Sequence, residues 1–166
     1  MESMAPVDVD PRAALLGFVA GMRTQLPLAM LAYAAREGHF ATDDDTSVKL
    51  LREPAALPVL ALSAAGELVV DKLPFTPSRL DPGPLFGRLL FGGLAGAAIS
   101  REGGDPPLAG ALLGAAGAGL GAFVGYHARR WLGETTGIPD PFWGSVEDVA
   151  ALAIGALVFA GGRDHR

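Results

Sequence analysis

The chain has 166 residues, 50% of them hydrophobic and 19% charged, with 23 glycines, no cysteine and a formal net charge of -5. So apolar a composition points to a membrane protein, and the acidic balance with scattered cations gives no footprint for nucleic acid. Without cysteine, disulfides and thiolate metal sites are excluded.

Nearly charge-free windows predict an all-α fold, a polytopic membrane helix bundle of about five Gly/Ala-rich spans in a single integral membrane domain over residues 1–166. The spans fall at about 13–35, 54–70, 85–100, 107–126 and 149–162. Several are shorter than the roughly 20 residues that cross a bilayer core. Buried helices of a soluble protein are the competing reading, and so many apolar windows with so few charges between them argue against it. Met1 to Asp10 is acidic and carries no Lys or Arg, unlike the start of a signal peptide, so the first window is expected to remain as a span.

That first window is interrupted by Arg23-Thr24-Gln25 and then Pro27. Proline lacks an N–H and removes the helical partner of the carbonyl four residues back, so a kink is expected at Pro27, with the Arg23 carbonyl freed beside its own guanidinium. Gly17, Gly21 and Gln25 share a face, small and then polar. The polar stretch Arg36 to Glu53 reads as a loop with a short amphipathic helix capped by Asp, Thr or Ser. Its triplet Asp43-Asp44-Asp45 lacks the spacing of an EF-hand and reads as a solvated loop.

The second window starts at Pro54, and Ser63, Glu67 and Asp71 recur on one face near its end. Ionisable groups at such depth are expensive, which makes them candidates for function. Lys72 follows, then Pro74, Pro77, Pro82 and Pro84, a density that predicts an extended surface connection. In the third window Arg88, Gly92, Gly96 and Ser100 share a face, and in the fourth Gly110 and Gly114 form one row, Gly117, Gly121 and Gly125 another. Both patterns suit close helix packing. His127, Arg129, Arg130 and Trp131 read as a headgroup-level anchor, and Gly133 to Gly144 as a loop. Ser145-Val146-Glu147-Asp148 has the form of a capping box opening the last span. In a five-span layout, six cations fall on each side, so charge leaves the orientation tied. Cations held close to span ends favour a cytoplasmic N-terminus.

Gly21-Met22-Arg23 with Pro27-Leu28, Glu67-x3-Asp71-Lys72-x-Pro74, and Gly-rich spans followed by Pro139-Asp140 and Glu147-Asp148 resemble the small bacterial membrane proteins catalogued as domain of unknown function 4126. The resemblance runs from Gly17 to the last span. It implies an integral protein of the bacterial cytoplasmic (inner) membrane and brings no reaction, substrate, cofactor or catalytic residue.

If the first two spans are antiparallel, Arg23 and Glu67 come to similar depth, and Arg23 is expected to pair with Glu67, with Gln25 and Ser63 nearby. The leading functional reading is transport or conduction of an ion or small polar solute, with Arg23, Gln25, Ser63, Glu67, Asp71, Glu147 and Asp148 along the path. A second reading is lipid-headgroup binding, movement or metal-dependent processing at the rim: Lys72, Arg79, Arg88, Arg129 and Arg130 would hold phosphate and Asp71, Asp140 and Asp148 a divalent metal. A third is a structural role in which glycine faces pack against a second copy or another span. The lipid bilayer is the expected partner throughout. No Ser-His pair, P-loop or dinucleotide fingerprint supports soluble-enzyme chemistry, and no cofactor is expected.

Overall fold

Proline and glycine set the helix ends in a computed structural model that describes residues 10–40, 46–71 and 78–161. Among these residues there is no strand, and seven helices form: α1 Arg12–Met22, α2 Leu26–Arg36, α3 Thr46–Arg52, α4 Ala56–Val70, α5 Pro82–Gly103, α6 Pro107–Thr136 and α7 Asp140–Gly161. Pro27, Pro82 and Pro107 lie in first turns, where the missing N–H has no intrahelical partner to lose. Gly104 and Gly137 stop α5 and α6 in the left-handed region, at φ 79° and 68°.

Small residues determine which helices touch. A Cβ on Gly17 would collide with the Gly114 carbonyl, on Gly21 with that of Ala118, on Gly117 with that of Ala14, and on Gly121 with that of Phe18. These pairs climb together, so α1 and α6 run parallel with backbones in contact. Gly92 and Gly96 meet Gly114 and Gly110 in the opposite order, so α5 runs antiparallel to α6. Glycine rows thus build the α1–α5–α6 core within the chain. At one end of it, here the far end, Arg12 pairs with Glu102 and the Asp10 N–H reaches Asp105.

The first window does not form one kinked span. After Met22 the chain turns over Arg23 to Gln25 and reverses. Leu31, Ala34, Ala35 and Phe40 return to the apolar cluster of Ala13, Leu16, Ile99 and Val158, and Met30 packs on Gly155. Pro27 serves as a helix start and not as a kink. A proline in the first turn suits either outcome; a carboxylate that caps the new helix, described below, decides for the break. With α1 and α2 as a hairpin, α4, α6 and α1 run away from the far end, and α2, α5 and α7 run back to it.

Other boundaries shift for related reasons. Pro82 and Pro84 open α5 instead of extending the connection before it, and α6 continues through the cationic and aromatic cluster to Thr136. The interhelical turn shrinks to residues 137–139, and α7 begins at Asp140, with Pro141 in its first turn. Ser145, Glu147 and Asp148 therefore lie inside α7, and the Ser145 hydroxyl donates to the Pro141 carbonyl instead of capping a helix. The short helix expected before Glu53 is α3; the Asp43-Asp44-Asp45 triplet, Lys72, Pro74 and Pro77 lie outside the described residues.

Three helices are long and apolar enough to cross a membrane, Pro82–Gly103, Pro107–Thr136 and Asp140–Ala160; Arg12–Met22 and Ala56–Val70 are apolar but shorter. Their outward faces carry Leu62, Leu108, Leu112 and Leu157, each at least 65% exposed. Water would penalise such faces and lipid would not. The five-span expectation thus reduces to three helices of crossing length beside a hairpin and a shorter apolar helix.

Candidate functional site

The turn between α1 and α2 carries Arg23 in an extended conformation, at φ -140° and ψ 105°. Its side chain is only 1% exposed. Nε donates to Asp148 Oδ1 and Nη2 to the Gly144 carbonyl at 3.1 Å, both on α7. Nη1 lies 3.1 Å from Asp71 Oδ2 at the end of α4 and 3.4 Å from Glu147 Oε2. One guanidinium therefore joins three elements, the planar fork giving it several fixed donors.

Around it the pairs continue. Arg79, just before α5, donates to both oxygens of Glu147 and lies 3.4 Å from Asp71. Gly125 on α6 makes this geometry fit, since a Cβ there would strike Glu147 Oε1 and sit 2.7 Å from Arg79 Nη1. Arg129, one turn further along α6, bonds Asp71 at 2.7 Å and Asp140 Oδ1 at 2.9 Å. Asp140 has 59% of its side chain exposed and ends the series.

Glu67 has a different partner from the one expected. Its two carboxylate oxygens accept the backbone N–H groups of Thr24 at 2.7 Å and Gln25 at 2.8 Å. These N–H groups precede α2, at the positive end of its dipole, where a carboxylate is well placed. Arg88 lies 3.9 Å from Glu67 and donates to the Gly21 carbonyl at 3.0 Å. Both ends of the broken helix thus find charged partners, α1 through Arg88 and α2 through Glu67, as the orphan groups of helix termini require.

Of the residues singled out in the sequence, Arg23, Glu67, Asp71, Glu147 and Asp148 come together, and Gln25 joins through its backbone. Ser63, one turn before Glu67 on α4, is exposed. Arg79, Arg88 and Arg129 turn inward to carboxylates and do not form an exposed phosphate rim. Arg130 is exposed and pairs with Glu134 at 2.8 Å. Asp71, Asp140 and Asp148 face guanidiniums, and among the described residues no group of three or more His, Asp or Glu is placed to hold a metal ion. Sequence reasoning missed the Gly144 carbonyl and the clearance at Gly125, whose row signalled packing alone.

Four guanidiniums and five carboxylates form a column graded from exposed to buried. At about 1.5 Å per residue, Arg23 lies about 16 Å and Arg129 about 33 Å from the far end. Between Arg23 and the far end the interior is apolar apart from the buried Ser100, with Val19, Leu16, Ala13, Leu31, Ile99 and Val158 buried.

This helical, apolar build with charges at a helix break stands on the residues 13–161 that match one family model, described as domain of unknown function (DUF4126). The chain belongs to the DUF4126 family. The match includes every charged group of the column. Among curated proteins and among solved structures, no match was found. DUF4126 carries no assigned reaction, so any activity of this member rests on its own geometry.

Proposed function

We propose that this protein transports or conducts an ion or small polar solute across a membrane, through a pathway whose core is Arg23 and Glu67. The observation that carries this reading is the column itself: paired charges lead from Asp140 at one surface to a helix break at about half the depth of the bundle. Irregular backbone and ionisable groups at mid-depth are costly in lipid, and broken helices with their ends turned to polar groups are a recurrent way of building ion sites. The surplus carboxylate favours a cation or proton over an anion.

Among the described residues the far end collects Arg12, Arg36, Lys49, Arg52 and Arg101, and the other end Arg79, Arg88, Arg129 and Arg130. The reversal at Arg23 thus tips a balance that five simple spans leave even, and supports a cytoplasmic far end and N-terminus in the cytoplasmic membrane.

Flux in reconstituted vesicles tests the proposal. Glu67→Gln keeps the shape and one acceptor at α2 but removes the charge; proton or alkali-cation flux is expected to fall at least tenfold while the protein stays folded. Unchanged flux, or no flux by the unsubstituted protein across a panel of ions and small solutes, would favour a second reading. In that reading the column is architecture, as supported by every carboxylate in it having a partner.

A further inference from the structure

A second site lies away from the charges. Ala29, Met30, Tyr33, Ala34 and His39 face Ala156 and Phe159 across a cleft of about 300 Å³ between α2 and α7. That volume is at the lower end of the range for small-molecule sites, roughly 300–1,000 Å³. The trough is made of alanine, methionine and phenylalanine. Its polar groups, the Tyr33 hydroxyl and the His39 imidazole, belong to the part of the chain nearest the far end. Tyr33 is 56% exposed and Ala156 is exposed, so the cleft opens on the outer face of the bundle. On that face α7 presents Leu152, which is exposed. In a bilayer, so apolar an outward face meets lipid.

Its shape comes from one small residue. A Cβ on Gly155 would strike the Met30 thioether, so glycine there seats Met30 against α7. Met30 forms one wall, flexible and polarisable, able to follow an irregular chain.

From these features we infer that the cleft binds one acyl chain of an anionic phospholipid from the surrounding leaflet. Apolar walls match the chain, and a tyrosine and a histidine at the end match the interface level. Charge complementarity selects the headgroup: Arg36, one turn beyond Tyr33 in the last turn of α2, is exposed. Cations just beyond an apolar trough draw anionic lipid to it. Apolar matching alone gives little selectivity in lipid, because the bulk is equally apolar. The preference for anionic lipid therefore rests on Arg36.

Photo-crosslinking of the full chain in nanodiscs provides the test, using phosphatidylglycerol and phosphatidylcholine that carry a diazirine in one acyl chain. Phosphatidylglycerol is expected to label Met30, Ala34 and Phe159 at least fivefold more than Leu62 and Leu112 on other lipid-facing helices. Ala156→Phe, which fills the cleft from its open side, is expected to remove that enrichment. Arg36→Gln, an exposed change that leaves the fold intact, is expected to bring phosphatidylglycerol labelling down to that of phosphatidylcholine. Uniform labelling over all lipid-facing helices, equal labelling by the two lipids, or enrichment unaffected by Arg36→Gln would each overturn the assignment.

Discussion

Arg23 is the group on which the two halves of the molecule meet. Removing it as Arg23→Leu leaves Asp148, Glu147 and Asp71 with a positive partner fewer in a buried setting, a loss of about 3–5 kcal/mol. Thermal unfolding in detergent should record it as a large fall in midpoint, with Arg23→Lys recovering part, since a lysine keeps the charge but not the fork that bridges α4 and α7. The depth of Arg23 was legible in the sequence, because helical rise fixes it. Its partner was not: the pattern Ser145-Val146-Glu147-Asp148 fits a helix start, which would put Asp148 at a surface, whereas Pro141 starts α7 earlier and carries Asp148 to the level of Arg23. Glu67 was found at the right place for a different reason, as an acceptor for backbone N–H groups, and single-sequence patterns do not show such contacts.

The break between α1 and α2 distinguishes a kinked helix from two helices. If Pro27 kinked a continuous span, Pro27→Ala would restore a helical hydrogen bond and raise stability by up to about 3 kcal/mol. With proline in the first turn of α2 the expected change is under about 1 kcal/mol. Denaturant or thermal titration of that variant separates the two. The glycine rows were legible as packing surfaces from spacing alone, yet spacing does not name the partner helix. Gly21→Leu and Gly114→Leu drive side chains into opposing backbone and should prevent assembly of the α1–α5–α6 core, whereas a Cβ at Gly66 or Gly87 meets nothing within 4 Å, so Gly66→Ala and Gly87→Ala should not lower stability. Proline density misled at Pro82 and Pro84, because a proline's effect depends on whether it falls in a first turn.

An all-helical membrane build was readable from composition and charge-free windows; the direction of each pass was not, because one reversal at Arg23 changes the parity of everything after it. With the hairpin in place, Glu37, after α2, and Glu102, at the end of α5, lie at the same end as the start of α1, and Ile138 lies at the other. The chain has no cysteine, so single cysteines introduced at these positions can be read without background. Impermeant maleimide should label Pro11→Cys, at the exposed start of α1, together with Glu37→Cys and Glu102→Cys from one face of intact vesicles, and Ile138→Cys from the opposite face. A five-pass chain with one straight first span would put Glu37 opposite the start of α1.

The hairpin also makes the two leaflets unequal. Helices α1 and α2 of 11 residues each extend only about 16 Å, whereas α5 and α7 of 22 residues extend about 33 Å. Past Arg23, the column relies on the longer helices alone to keep lipid and water in their places. Bilayer thickness then becomes a control on the protein: shorter-chain lipids draw the Asp140 surface toward Arg23, and a membrane a few ångströms thicker buries Asp140 with it.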